Sequence, residues 1–286
     1  MRIGIVGLGL LGRAMARRFL DAGYEVCGND IAPAAREEAA AFGVTVLPEA
    51  RTVAESADTL VLSLLTSEDR RTLFWGPQNM ACSLRRGAII LDTTTARPED
   101  VRVDSKRVAA EQGARLVDVC VSGSSQVVLE GRALALVGDR EDRAEYQDLL
   151  RTFAAKQYYF GEPGRGNEAK LVVNLVFGLN RLVLAEALGL AAKGGFDLPT
   201  MLDVLREGDT YSKVMDAKGP KMVSGSYTPP VARLAQHAKD VHLIAEYARE
   251  VGARIPVTEL HSGIIDTLVE AGFGSLDNAA IFKAYE

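Results

Sequence analysis

The chain has 286 residues, room for one large domain or two ordinary ones, and 48 % of them are hydrophobic, ample for a packed core. A formal net charge of -5 without any block of lysine and arginine excludes the basic stripe expected of a nucleic-acid binder. Cys27, Cys82 and Cys120 are scattered with no CxxC, and His237 and His242 stand five apart, so neither a disulfide framework nor a metal site is expected. Met1–Val6 leads straight into a glycine turn, so no signal peptide is expected. The most apolar stretch, 171–192, carries Asn174, Asn180, Arg181 and Glu186, a poor composition for a membrane span, and the chain reads as soluble and cytoplasmic.

In chain order, strands are expected at 2–6, 24–29, 58–64, 88–92, 115–121 and 133–137, with a short edge strand at 156–160 and a first helix over 12–22. The runs 58–64 and 88–92 are apolar throughout, as in strands covered on both faces. Strands alternating with helices predict right-handed crossovers and a mostly parallel, doubly wound sheet. The character changes at the Gly/Pro-rich stretch 161–166. Beyond it, helices are expected over 166–194, 197–207, 231–251 and 258–271, and no strand. The fold class is therefore α/β, with a Rossmann-type domain over 1–161 followed by an all-α domain over 162–286. The helix at 166–194 is apolar almost all round and must be buried on most sides, against its own domain or against a second subunit. A homodimer or homotetramer through the helical domain is expected.

Gly7-Leu8-Gly9-Leu10-Leu11-Gly12 follows a strand and opens a helix, the context that gives G-x-G-x-x-G its meaning. Gly7 permits the tight turn, Gly9 leaves the pyrophosphate an unobstructed approach, and Gly12 lets helix and sheet pack closely. The helix N-terminus offers N–H groups to phosphate. Asp30 ends the second strand, where a carboxylate accepts from the adenosine ribose hydroxyls and repels a 2′-phosphate. The next residue is Ile31, no cation for such a phosphate, so NAD is expected rather than NADP.

Lys170 and Asn174 are four residues apart in GRGNEAKLVVN, on one face of a helix. Alcohol oxidation requires a group that takes the hydroxyl proton as hydride leaves carbon, and reduction requires its return. No histidine occurs before His237, which leaves Lys170 as the candidate. A free lysine titrates near about 10.4, and the hypothesis requires partial desolvation at the domain hinge to lower it; the alternative is an ordinary exposed lysine. Asn174 is a polar amide in an apolar helix, costly unless paired, and suits a reacting oxygen or a carboxylate. Ser122 and Gly123 follow a strand at its carboxyl end, where open sheets bind ligands.

Together these residues resemble the β-hydroxyacid dehydrogenase family, which includes 3-hydroxyisobutyrate dehydrogenase, tartronate semialdehyde reductase and glyoxylate/succinic semialdehyde reductases. The resemblance covers nearly the whole chain through four motifs in order. They are Gly7–Met15 with Asp30, the D-x-S-T-x-x-P-like segment Asp92–Pro98, the D-A-P-V-S-G-G-like segment Asp118–Ser124, and Gly164-x-Gly166-x-x-x-Lys170-x-x-x-Asn174. It implies that Leu65, Thr66 and Thr95 lie at the cofactor, Thr95 near the nicotinamide ribose. It further implies that Ser122, Gly123 and Ser124 bind substrate with Lys170 and Asn174, that Lys170 and Asn174 are catalytic, and that Lys239 reaches the cofactor or substrate anion with Asp240 orienting it in the substrate site. Departures are Cys120 for proline, Ser124 for the second glycine, Thr94 for serine and Thr66 for proline. They put the substrate in doubt more than the reaction, and Ser125, Arg233 and His237 remain unassigned. The 6-phosphogluconate dehydrogenases share the motifs but are much longer.

The implied function is NAD-dependent hydride transfer with a small 3-hydroxy acid or its semialdehyde. The alternatives are an NADPH-dependent glyoxylate or succinic semialdehyde reductase and a non-catalytic nucleotide-binding scaffold.

Overall fold

A computed structural model describes residues 1–140 and 144–286. The chain folds as two compact units, Met1–Lys170 and Leu171–Glu286.

The first unit is built on β1 (Arg2–Val6), β2 (Glu25–Asn29), β3 (Thr45–Val46), β4 (Thr59–Leu62), β5 (Ile89–Asp92), β6 (Arg115–Ser122), β7 (Ala133–Val137) and β8 (Ala154–Tyr159). These form one sheet in the order β3-β2-β1-β4-β5-β6-β7-β8. β1 to β6 run parallel. β7 is antiparallel to β6, and β8, at the edge, is parallel to β7. The chain winds outward one way through β2 and β3 and then the other way from β4, so the switch of direction falls between β1 and β4. That is where open α/β sheets leave a crevice at the carboxyl ends of their strands.

Side chains alternate across the sheet with period two. Ile3, Ile5, Val61 and Leu91 join Phe19 and Phe153 in one core cluster, whereas Val6, Leu60, Leu62 and Ile90 join Phe74 and Met80 in another. Each buried side chain of this size contributes about 1.5–3 kcal/mol relative to exposure. Covering both faces are α1 (Leu10–Asp21), α2 (Pro33–Ala40), α3 (Ala50–Ser56), α4 (Ser67–Trp75), α5 (Pro98–Gln112), α6 (Ser125–Leu129) and α7 (Gln147–Arg151). Several carry local stop and start signals. Thr66 and Asp69 form a capping box at α4, Pro98 opens α5, and Gly113 closes α5 at φ 62°.

The helical unit contains most of α8 (Arg165–Lys193), whose first turns to Lys170 belong to the sheet unit, then α9 (Leu198–Glu207), α10 (Lys213–Ser224), α11 (Leu234–Val251) and α12 (Pro256–Glu270). Leu184, Leu188, Leu202, Val214, Leu234, Ile265 and Phe282 form its core. The expected helix start at 231 falls instead at Leu234, because the Val231 N–H is taken by the buried carboxylate of Asp277 at 2.8 Å. Pro256 at the first position starts α12 two residues before the expected 258. The α10 helix, with Pro220 inside it, was not expected. Nor is α8 covered on most sides: Val172, Val176, Val183 and Leu190 leave an exposed apolar stripe along it. By length and composition α8 could cross a bilayer, but it holds the buried Arg181.

Candidate active site

The glycine loop has the three properties its sequence requires. Gly7 has φ +96°, and a Cβ there would lie 2.2 Å from the carbonyl oxygen of Ser63 at the end of β4. A Cβ on Gly12 would lie 1.9 Å from the oxygen of Gly7, so this glycine closes the turn onto the helix. A Cβ on Gly9 would meet nothing within 4 Å. Gly9 is the N-cap of α1 and has no side chain to occupy the helix's first N–H groups, and no acidic residue stands in the first turn. The loop thus fits a pyrophosphate by backbone conformation, open space and exposed donors.

Asp30 sits just beyond β2, and its carboxylate already accepts from two N–H groups, Leu8 at 2.6 Å and Ala32 at 2.8 Å. It ties the second strand's exit to the glycine loop. The Leu8 side chain is fully buried, so its contribution there is its backbone, while Leu10 is exposed and Leu11 half-buried. Ile31 is 92 % exposed. Arg36 donates to the carbonyl oxygens of Asp30 and Ile31, a cation at this corner that sequence reading missed.

At the ends of β4 and β5, Leu65 is exposed, and the Thr66 hydroxyl is committed to capping α4. Asp92 accepts from Thr94 N at 3.0 Å and pairs with the buried Arg70, which also holds Asp104. Thr93 donates to the Leu62 oxygen at 2.8 Å, and Thr95 is half-buried. Asp92, Thr93 and Arg70 hold this segment in place.

Strand β6 carries the most consequential side chain that sequence reading left without a role. Asp118 is fully buried, and its carboxylate accepts from Gly164 N at 2.9 Å and Asn167 N at 2.8 Å, at the start of α8. Burial pushes the Asp118 carboxyl above its usual range, and these hydrogen bonds oppose the rise. Gly138 and Gly166 close around it, since a Cβ at either would lie within 3 Å of its oxygens. The Asn167 amide oxygen accepts from Ala96 N at 2.8 Å, joining the same turn to the segment after β5. Three residues beyond Asp118, the Val121 oxygen accepts a hydrogen bond from Lys170 Nζ at 2.7 Å. An acid inside the apolar run RLVDVCVS was the available signal, because a buried carboxylate must find donors.

Lys170 is therefore held at the carboxyl end of β6, where Ser122 is half-buried and Gly123, at φ +148°, turns the chain. The Ser124 hydroxyl accepts from Val127 N at 3.3 Å and caps α6, and Ser125 is that helix's first residue. In the helical unit, Asn174 Nδ2 donates to Asp240 Oδ2 at 3.1 Å, and Lys239 Nζ lies 3.1 Å from Asp240 Oδ1. Arg233 is the exposed N-cap of α11, and His237 is buried four residues on. Among the described residues no group of His, Cys, Asp and Glu is arranged to hold a metal ion.

Residues 2–161 match the family model described as the NAD binding domain of 6-phosphogluconate dehydrogenase. Residues 164–285 match the one described as NAD-binding of NADP-dependent 3-hydroxyisobutyrate dehydrogenase. The chain is 31 % identical to 2-(hydroxymethyl)glutarate dehydrogenase of Eubacterium barkeri, covering 100 % of this chain and 95 % of that one. It is 28 % identical to L-threonate dehydrogenase of Escherichia coli K12, covering 99 % and 94 %. Among solved structures, 3-hydroxyisobutyrate dehydrogenase from Salmonella typhimurium superposes with a TM-score of 0.91 at 26 % identity, covering 99 % of both chains. With the glycine loop, the strand-end residues and the Lys170 helix in the family's order, the chain belongs to the β-hydroxyacid dehydrogenase family and is an NAD(P)-dependent oxidoreductase.

Proposed function

We propose that this enzyme interconverts a small 3-hydroxy acid and its semialdehyde with NAD, and that Lys170 is the general acid and base. The observation that carries this reading is the Lys170 ammonium hydrogen-bonded to Val121 O at the carboxyl end of β6, next to Ser122 and Gly123. When bound, the nicotinamide supplies the acceptor or donor of hydride. In the oxidative direction the neutral Lys170 amine takes the substrate hydroxyl proton as the C–H bond is lost. In reduction the ammonium returns that proton to the carbonyl oxygen and stabilises the alkoxide as it forms.

Ser122 and the Gly123 N–H serve the substrate carboxylate, with Ser124 extending the polar rim. Asn174, one helical turn beyond Lys170, serves the reacting oxygen through its amide. The Asp240 carboxylate fixes that amide's orientation and Lys239 holds Asp240, so both act through Asn174. Residues 1–161 then form the nucleotide domain and 162–286 the substrate and dimerisation domain. The exposed stripe of Val172, Val176, Val183 and Leu190 fits burial against a second copy of the chain. A soluble, cytoplasmic enzyme follows from the same reading.

NAD is favoured because the Asp30 carboxylate stands at the end of β2, where a 2′-phosphate would meet it, and Ile31 offers no compensating charge. One observation favours the second reading, an NADPH-dependent semialdehyde reductase: the Arg36 guanidinium lies on the carbonyls of Asp30 and Ile31 and has donors to spare. The test is a panel of hydroxy acids, 3-hydroxyisobutyrate, threonate, glycerate and 2-(hydroxymethyl)glutarate among them, each assayed with NAD and NADP. Higher kcat/KM with NAD, and a swing towards NADP in Asp30→Ala, is the expected result. A large preference for NADP in the unaltered enzyme contradicts the role given to Asp30.

A further inference from the structure

The core of the helical unit contains a buried cation with two unsatisfied nitrogens. Arg181 is 1 % exposed, and its Nε and Nη2 have no hydrogen-bond partner. The Phe177 ring lies 5.7 Å from its Cζ, which covers one face of the guanidinium but satisfies none of its N–H groups. The two carboxylates that bear on it each lie beside another cation as well. Asp277 is paired with Lys218 at 2.8 Å and accepts from the N–H groups of Val231 and Ala279. Asp240 accepts from Asn174 through Oδ2, while its Oδ1, 3.1 Å from Lys239 Nζ, is buried without a hydrogen-bond partner.

Two imidazoles share this interior. His237 is 7 % exposed and His261 1 %, their ring centroids are 5.1 Å apart, and Nε2 of each is buried without a partner. Gly178, one turn before Arg181 on α8, makes room for both: a Cβ there would lie 2.9 Å from His237 Cε1 and 3.1 Å from His261 Cε1. Neither imidazole hydrogen-bonds the guanidinium. Burial, reinforced by the Arg181 charge, pushes both rings below their ordinary range, His261 to about 4, so at neutral pH both are uncharged. With Nε2 protonated on both rings, the imidazoles add two buried donors to the two of Arg181. Leaving a charged donor and its neighbours unpaired in a protein interior is costly.

We infer that Arg181, His237 and His261 form a buried binding site for a small monovalent anion, a halide or a formate-sized carboxylate. The anion supplies the acceptor that Arg181 Nε and Nη2 lack, and Nε2–H of either imidazole can join it. The inference does not rest on the hydride-transfer reading. Arg181 is eleven residues beyond Lys170 on one helix, about 16 Å along its axis, and both side chains lean towards the helix N-terminus. A small hydroxy acid cannot span that separation. Such a ligand ties α8, α11 and α12 together and stabilises the fold in proportion to its occupancy.

The test uses the full chain, with thermal unfolding followed against sodium bromide or sodium formate at constant ionic strength, sodium methanesulfonate, whose anion is bulkier, making up the balance. The unaltered protein should gain on the order of 5 °C, saturably, at a hundredfold excess over the Kd. Arg181→Met should show no saturable gain. Crystals grown in bromide should show an anomalous peak within hydrogen-bonding range of Arg181 Nε or Nη2, and this measurement decides the matter if the variant does not fold. Equal gains in both proteins, or water in place of the anomalous peak, would overturn the site. The anion with the lower half-saturating concentration distinguishes halide from carboxylate.

Discussion

Lys170 Nζ donates to the carbonyl oxygen of Val121 at 2.7 Å, three residues along β6 from the Asp118 carboxylate that holds the first turn of the lysine's own helix. One strand thus grips the start of α8 twice, once through its backbone N–H groups and once through the amine. A lysine side chain has four rotatable bonds and considerable rotamer freedom. Fixing both its root and its tip is how such a group can be held ready for proton transfer.

If Lys170 acts as proposed, Asp118 is a positioning residue, and Asp118→Asn tests it. The amide keeps the shape but cannot serve all the donors the carboxylate serves, a loss of about 2 kcal/mol in stability. The displaced α8 start should lower kcat by roughly tenfold or more, while the Kd for cofactor, set by the glycine loop, stays unchanged. A variant that loses stability but keeps full kcat would mean that Asp118 serves the fold alone.

The glycine loop makes opposite predictions for two neighbouring glycines. Gly9→Ala adds a methyl into open space, so unfolding temperature should barely move while cofactor affinity falls, by roughly tenfold or more if the methyl stands against the pyrophosphate. Gly12→Ala drives a methyl towards the backbone oxygen of Gly7, where nothing flexible can yield, and should destabilise by about 3 kcal/mol. Thermal unfolding paired with cofactor titration separates them. Equal stability losses would refute the assignment of open and closed positions.

The histidine pair gives a pH dependence with a defined sign. Burial, with the Arg181 charge adding to it, puts the folded His261 at about 4, and the unfolded ring titrates near about 6.5. Between those values the unfolded chain binds the proton and the folded one does not. Stability from this ring is complete above the unfolded value and is lost as pH falls towards the folded one. At pH 5 the loss is roughly 2 kcal/mol, and His237, lowered for the same cause, acts in the same direction. Unfolding measured at pH 7.5 and pH 5 in halide-free buffer should show it, with a shallower dependence in His261→Leu. Identical pH dependence in the two proteins would contradict a neutral buried ring.

Much of the fold could be read in advance because a sheet buried on both faces imposes apolar runs such as those of β4 and β5, and β1, β2, β6 and β7 also fall on expected strands. The two-residue β3 has too little sequence to show a period, and α10 was hidden by Pro220, whose missing N–H reads as a break. For the site, local spacing singled out Gly7, Gly9, Gly12, Lys170 and Asn174 as candidates. It could not reveal that Asp118 meets Gly164 and Asn167, or that Asn174 meets Asp240, because those partners are brought together only by the tertiary fold. Arg181 stood out as a charge that a bilayer would not accept; that its Nε and Nη2 are buried without a hydrogen-bond partner is a fact of three dimensions.

The most direct test of the central claim is single-turnover hydride transfer, followed by absorbance of the reduced cofactor, in Lys170→Ala beside the unaltered enzyme. With cofactor Kd measured on both, the account predicts unchanged cofactor binding and a hydride-transfer rate lower by ~10²–10⁴. A variant that binds cofactor equally well and transfers hydride at the original rate would contradict it.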